Sequence, residues 1–420
     1  AAPRTPPARP ARPPAAAGPG AAPPPPPPPP RRPPPGPAPP PPPPPGPRRG
    51  PRPSTRYEPG RVFGAFLDGE LAGTALSMTS ALEVPGGAVL PAAAVTGVGV
   101  RADRTRRGLL RELMRAQLTE LRERGEPLAV LHASETRIYP RFGYGLGTRS
   151  QRVQVARTHA ELRPDAPIGG QVRLVDGPAA EKLLPELYSR IAAGRPGLIA
   201  RGEGWWTTRL AGTVENGGAL RVAVHSDDSG TDDGFALWEP SKTDHHFGDG
   251  SIRILVSDMH GADDAATASL WRFLLGLDLA TSVIAVDRPL DEPLPWWLAD
   301  RRGCGVDRVD DDLWVRLVDV PAALAARSYG AAEPVVVEVR DPFLPQNSGR
   351  YRIGPGGAEP VADAPQLGLD VDVLGSLYLG DVRPSTLAAA NRVEVHEPSA
   401  LAAADRLFAA ARPPWCGTQF

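Results

Sequence analysis

The sequence is poor in the residues that build metal frameworks and in the apolar runs that cross membranes. Its 420 residues include two cysteines, Cys304 and Cys416. Two cysteines cannot make a zinc site by themselves, nor a disulfide framework. The seven histidines are scattered, and none stands at metal-ligand spacing. His245 and His246 are adjacent, so on a strand they would face opposite ways; they read as surface residues, and no metal is expected. No run reaches the ~18 apolar residues of a membrane span, and the N-terminus lacks the apolar centre of a secretory signal. The expectation is a soluble, cytoplasmic protein with no membrane partner.

Residues 1–50 lack acids altogether and nearly lack large apolar side chains. They hold 27 of the 54 prolines and seven arginines. Such a stretch cannot bury enough apolar surface to offset its ordering entropy. Residues 1–55 therefore read as a disordered or polyproline II tail. The tail is either a solvated extension, a misassigned start of the reading frame, or a docking segment for an anion or a proline-reading domain. The overall charge of −1 divides into +7 for residues 1–50 and −8 for the rest. A mildly acidic body argues against nucleic acid as a partner.

What is present is a strong alternation of strands and helices. Arg61–Leu67, the turn Asp68-Gly69 and Glu70–Met78 predict a hairpin. Ala93–Val100 is β-branched and apolar, with interior glycines, and predicts a buried strand that something approaches closely. Thr105–Arg124 predicts a helix, with Leu109, Leu110, Leu113, Leu118 and Leu121 on one face and Gly125 as its stop. Leu128–His132 completes a βαβ unit with a parallel pairing. Beyond residue 160 strands and helices recur: strands at 171–175, 219–224, 234–238, 252–257 and 281–286, and helices at 179–193 and 265–279. The character changes again from Leu313, with strands at 313–318 and 333–339 and helices at 371–379, 385–391 and 400–411.

The chemistry concentrates where the strand ending at Val100 runs into a basic loop and a helix. A helix start carries unpaired N–H groups and the positive end of the macrodipole, and so forms an anion site. Arg106 and Arg107 add bidentate donors for phosphate oxygens, and Gly108 permits close backbone approach. The same residues also fit an ordinary helix start with solvated arginines, and this motif alone does not decide. A second segment, Ala133–Gly145 (ASETRIYPRFGYG), clusters Tyr139, Phe142 and Tyr144 among prolines and glycines. The pairs Trp205-Trp206 and Trp296-Trp297 read as structural.

Together, residues 95–148 resemble the acetyl-CoA-binding core of the GNAT superfamily, and more narrowly the Eis (enhanced intracellular survival) acetyltransferases of actinobacteria. Val373–Asn391 (VLGSLYLGDVRPSTLAAAN) resembles that family's C-terminal sterol-carrier-like domain. The resemblance implies an α/β fold of tandem GNAT-like domains, each a mixed sheet with flanking helices, plus a C-terminal α+β domain. The implied boundaries are 56–160 for the acetyl-CoA-binding domain, 161–305 for a degenerate second one and 306–420 for the third. By resemblance, backbone groups of Val98 and Val100 hold the acetyl and pantetheine portion. Arg106, Arg107, Gly108 and Leu109 hold the pyrophosphate, and Ser134 lines the cofactor cleft. Tyr139 is then the general acid, and the α-carboxylate of the terminal Phe420 the general base. Phe142 and Tyr144 are packing residues.

The resemblance further implies an N-acetyltransferase using acetyl-CoA without metal, acting on a cationic small-molecule amine such as an aminoglycoside, as a homohexamer. Alternatives are a lysine or polyamine acetyltransferase, or a non-catalytic acyl-CoA-binding protein. Three departures bear on this. Thr105 stands where GNAT proteins usually carry Arg or Gln, a loss for which Arg104 could compensate; Leu110 stands where many have Gly or Ala, although Eis-type proteins also have Leu. The strand and two helices that open the family's first domain have no counterpart in residues 1–55, nor have its substrate-binding aromatic and acidic residues. Gln419 replaces an acid beside the terminus.

Overall fold

The computed structural model describes residues 58–242 and 252–420. The stretch 1–55 and the pair His245 and His246 lie outside the described residues. The first elements follow their local chemistry. Strands β1 (Val62–Leu67) and β2 (Glu70–Glu83) pair antiparallel across Asp68 and Gly69, which hold φ of 53° and 80°, the paired left-handed conformations of a type I′ turn. Strand β3 (Val89–Val100), helix α1 (Leu109–Glu123) and strand β4 (Leu128–Leu131) form the expected unit, with β3 and β4 parallel. The apolar periodicity runs back to Thr105, but the helix begins only at Leu109. Arg106 and Gly108 have φ of 61° and 82°, which a right-handed helix does not admit.

Strands β5 (Gly145–Leu146) and β6 (Arg149–Ala156) lead into β7 (Gln171–Val175), α2 (Gly177–Ile191) and α3 (Glu203–Leu210). Next come β8 (Arg221–Ser226), β9 (Asp232–Lys242), β10 (Ile252–Gly261), α4 (Asp264–Leu275) and β11 (Ala280–Arg288). Short α5 (Leu294–Trp297), β12 (Cys304–Asp311), β13 (Trp314–Leu317) and α6 (Val320–Ala326) follow. The chain closes with β14 (Val335–Arg340), β15 (Gly349–Gly354), β16 (Gly357–Val361), β17 (Leu367–Asp370), α7 (Val371–Tyr378), α8 (Pro384–Ala389), β18 (Val393–Val395) and α9 (Pro398–Phe408). No helix of the described residues is long and apolar enough to cross a membrane.

These strands form three sheets, ordered β1-β2-β3-β4-β13-β5, β12-β6-β11-β10-β9-β8-β7 and β16-β15-β14-β17-β18. Membership interleaves along the chain. Strand β6, soon after β5, belongs to the second sheet, whereas β13 returns to the first and pairs with both β4 and β5. Alternation along the strands divides the first sheet between two cores. Ala92, Ala94, Leu128 and Val130 face a core shared with the third sheet, while Ala93, Val95, Ala129 and Leu131 face Met114, Leu118 and Leu121 of α1. In the second sheet, Val222, Val224, Phe235 and Leu237 pack under α2 and α3, and Ala223, Ala236 and Trp238 under α4.

Helix α7 lies directly on the first sheet, and two glycines allow it. A Cβ at Gly145 would stand 1.9 Å from the Asp372 carbonyl, and one at Gly375 2.5 Å from that of Val315. The first and third sheets are thereby fastened together. The C-terminal segment then crosses from the third unit onto the first two.

Candidate functional site

Strands β3 and β4 are in register only from Ala92–Ala94 to Leu128–Val130. Strand β4 ends at Leu131 while β3 continues to Val100, so past Ala94 the β4-facing edge of β3 has no strand partner among the described residues. On its other edge β3 carries a bulge. Leu76 pairs with Thr96 and Thr74 with Gly99, leaving Gly97 and Val98 opposite one residue, the two-to-one pattern of a β-bulge. Gly97 has φ 58°, the Thr74 hydroxyl donates to its carbonyl at 2.9 Å, and a Cβ there would meet Leu76 at 2.2 Å.

At the far end of β3 opens a cleft of about 520 Å³, walled by Val100, Arg104, Thr105, Arg106, Gly108, Leu109, Leu110 and Arg111 on one side and Arg141, Phe142, Pro342 and Phe343 on the other. Gly108 is the N-cap of α1 and no side chain caps the helix, so its first N–H groups have no partner within the helix. A Cβ at Gly108 would meet nothing within 4 Å. Arg104 pairs with Glu70 at 3.3 Å. Arg106, Arg107 and Arg111 form no ion pair among the described residues. Open helix N–H groups beside uncommitted guanidinium groups suit a polyanion such as a pyrophosphate.

The remaining residues expected at the cofactor stand in different places. Val98 is half-buried against the α1 core, and Arg107 and Ser134 are exposed; none of the three lines this cleft. Phe142 and Tyr144 pack in the core, as expected, and Phe142 also walls the cleft. Tyr139 packs with Ala93, Val95 and Met114, its ring edge-on to Tyr144 at 5.9 Å. Burial pushes its phenol above the usual value, and its hydroxyl makes no hydrogen bond among the described residues.

Phe420 borders two small pockets of about 100 and 150 Å³ that share Met78, Gly204 and Trp205. Thr96 and the bulge residue Gly97 line one of them, and Glu58 and Glu203 the other. The Phe420 ring rests on His132, at the end of β4, with centroids 4.7 Å apart. Tyr139 lines neither of these pockets. The two tryptophan pairs divide as adjacent residues on a helix must: Trp206 and Trp297 are buried, and Trp296 is exposed. Trp205, which the sequence reads as structural, lines both small pockets, a position that follows from how α3 sits against the first sheet. Glu58, Glu203 and Trp205 place two carboxyl groups and an indole on the pocket of about 100 Å³.

The C-terminal segment is held by the second sheet's unit. Trp415 donates its backbone N–H to Pro196 O at 2.9 Å and its indole N–H to Asp287 O at 2.7 Å. Arg201, fully buried, donates to the Thr418 hydroxyl at 3.0 Å and to both oxygens of Asp258 at 2.7 and 3.1 Å. Trp205 Nε1 donates to Gln419 O at 2.7 Å. Burial raises the Asp258 carboxyl, but Arg201 and His260 outweigh it and hold that carboxyl well below the usual range. Asp287 is pushed up to about 6 by burial and by the nearby Asp312 charge.

Comparisons with known proteins agree with this architecture. Residues 40–147 and 197–317 each match an acetyltransferase (GNAT) domain model, and residues 320–417 match a sterol carrier protein domain model. An uncharacterized N-acetyltransferase of Streptomyces avermitilis is 40% identical over 376 residues, covering 86% of this chain and 90% of that one. The N-acetyltransferase Eis of Mycobacterium tuberculosis is 37% identical, covering 85% and 88%. The crystal structure of Eis1 from Mycobacterium abscessus superposes with a TM-score of 0.80 at 39% identity, covering 87% and 92%.

Proposed function

The chain belongs to the Eis family of GNAT N-acetyltransferases, and from that premise we propose that it moves the acetyl group of acetyl-CoA directly onto amines of a cationic small molecule, aminoglycosides being the leading class. The observation that carries this reading is the uncapped start of α1, opening with unpaired Arg106 beside the unpaired edge of β3. In this reading Arg106, Arg107, Gly108 and Leu109 hold the pyrophosphate, the backbone of Val98 and Val100 holds the acetyl and pantetheine portion, and Ser134, exposed beyond the walled cleft, meets the cofactor once it is bound. Residues 56–160 form the acetyl-CoA-binding domain, 161–305 the degenerate one and 306–420 the sterol-carrier-like one. The enzyme works in the cytoplasm as a homohexamer.

Tyr139 donates the proton to the departing thiolate. An ordinary phenol with a pKa of about 10 stays protonated at neutral pH, and burial strengthens that state. The Phe420 carboxylate accepts the proton of the attacking amine. An α-carboxylate, with a pKa of about 3.5, is a weak base, so most of the rate comes from holding two reactants in line. Glu58, Glu203 and the face of Trp205 attract a cationic acceptor into the pockets beside Phe420.

The test is thiol release from acetyl-CoA by the purified protein against aminoglycosides, polyamines and lysine peptides. Release confined to aminoglycosides supports the reading, and release with polyamines or lysine peptides instead reassigns the acceptor. Heat protection by acetyl-CoA with no release for any amine overturns it in favour of a binding protein.

A further inference from the structure

We propose that His132, Asp312 and Cys416 together bind one zinc-class divalent ion, which ties the C-terminal segment to the end of β4. The three residues come from the end of β4, the turn before β13 and the last six residues of the chain. Their donor atoms all lie within 4.8 Å of one another, with His132 Nδ1 3.6 Å from Asp312 Oδ1. Zinc bonds of about 2.0–2.3 Å in tetrahedral geometry set donors about 3.3–3.8 Å apart. Bringing all three donors to that spacing takes a contraction of up to about 1–1.5 Å. This inference does not depend on which amine the enzyme acetylates.

The hydrogen bonding around the trio shows what is missing from it. Asp312 is buried. Its Oδ2 accepts from the Thr148 hydroxyl at 3.0 Å and from the N–H groups of Cys416 and Gly417 at 3.3 and 3.4 Å. Its Oδ1 is buried with no partner, an exception to the rule that buried polar atoms are paired. His132 presents a second conflict. Nε2 lies 2.8 Å from Thr418 O, and Nδ1 lies 2.9 Å from Asp312 O. A neutral imidazole has one N–H, so it serves one carbonyl and turns a lone pair toward the other oxygen. With Nε2–H donating to Thr418, the lone pair of Nδ1 is left on the side of Asp312.

A cation at that point removes the conflict. A proton would satisfy Nδ1 and the Asp312 carbonyl, but would leave Oδ1 without a hydrogen bond and the Cys416 thiol held only by its contact to Thr418 O at 3.6 Å. A metal ion takes all three donors. One imidazole, one carboxylate and one thiolate suit zinc or cobalt rather than magnesium or calcium, and the bonds already made by Oδ2 and Nε2 orient their groups for it. Binding releases the thiol proton to solvent. Because the Phe420 ring contacts His132 at a tilt, with centroids 4.7 Å apart, and follows Cys416 by four residues, the ion would fasten both supports of the terminal residue.

The experiment is a cobalt titration of the full chain after chelator treatment, followed by absorption. The expected result is one ion per chain, with a thiolate-to-cobalt charge-transfer band that zinc abolishes. Cys416→Ser should lose the band and Cys304→Ser should keep it. Asp312→Asn and His132→Gln should weaken binding by about tenfold or more. Thermal melting of each metal-free variant shows that it folds, and zinc should raise the melting temperature of the unaltered chain but not of Cys416→Ser. Absence of the band in the unaltered, folded chain, or its persistence in Cys416→Ser, overturns the proposal.

Discussion

Replacing Arg201 by methionine removes one charge while keeping most of the packing, and its cost follows from what surrounds it. The guanidinium is fully buried, bridges both oxygens of Asp258 and holds the Thr418 hydroxyl. Its carbon also lies 3.9 Å from the Tyr188 ring centroid and 4.2 Å from that of Trp205. Breaking a buried pair on one side strands the other charge, at a cost of about 3–5 kcal/mol. Each ring contact adds roughly 0.5–1 kcal/mol. Urea unfolding should therefore show Arg201→Met destabilised by about 4–7 kcal/mol. The double variant Arg201→Met with Asp258→Asn, which removes the stranded carboxylate, should recover about half of that loss. If Thr418 is the handle by which Arg201 seats Phe420, turnover of the single variant should fall by about tenfold while the KM for acetyl-CoA stays within about twofold, since the cofactor cleft is lined by other elements. A single-variant loss under about 1 kcal/mol, or a double variant no more stable than the single, would refute the reasoning.

Tyr139→Phe should lower kcat by roughly 10²–10⁴-fold, the range for a lost general acid, yet shift urea stability by under about 0.5 kcal/mol, because the hydroxyl makes no hydrogen bond among the described residues; full activity would remove Tyr139 from the reaction. Arg106→Ala and Arg107→Ala should each raise the KM for acetyl-CoA by about tenfold with kcat nearly unchanged, and flatten its dependence on salt, as expected for a lost charge-assisted phosphate contact; steady-state kinetics at two ionic strengths checks both. Asp287 sits at about 6 in the fold, above its unfolded value of about 3.9, so it favours the fold below pH 4 and loses that contribution as pH rises through 6. Asp287→Asn should accordingly stabilise the protein at pH 7.5 by about 1–3 kcal/mol and give no gain at pH 4, as read by urea unfolding at the two pH values.

The sequence exposed the elements whose signals are local. The Asp68-Gly69 turn, the apolar face of α1 and strand β3 each rest on a few adjacent residues; β3 runs longer than expected, from Val89, and is buried at Ala93–Val95 but open at Gly97 and Gly99. The start of α1 was misplaced because apolar spacing continues through a loop whose backbone, at Arg106 and Gly108, turns left-handed. Strand β12 carries almost no burial contrast along its length, so it offers no two-residue rhythm to detect. Strands β5 and β18 span two and three residues, shorter than any periodicity.

The division follows from the range of the forces involved. Turn chemistry, helix periodicity and the charge at a helix start act over a few residues, so the sequence by itself determined the βαβ unit and its basic, uncapped helix. Tertiary structure alone decided what meets across the chain. It returned β13 to the first sheet and set Trp205 of the second unit beside the terminal Phe420. It gathered His132, Asp312 and Cys416 at one buried point. None of these meetings leaves a spacing in the sequence, because each is enforced by packing between cores and by buried polar groups that must find partners wherever the fold brings them.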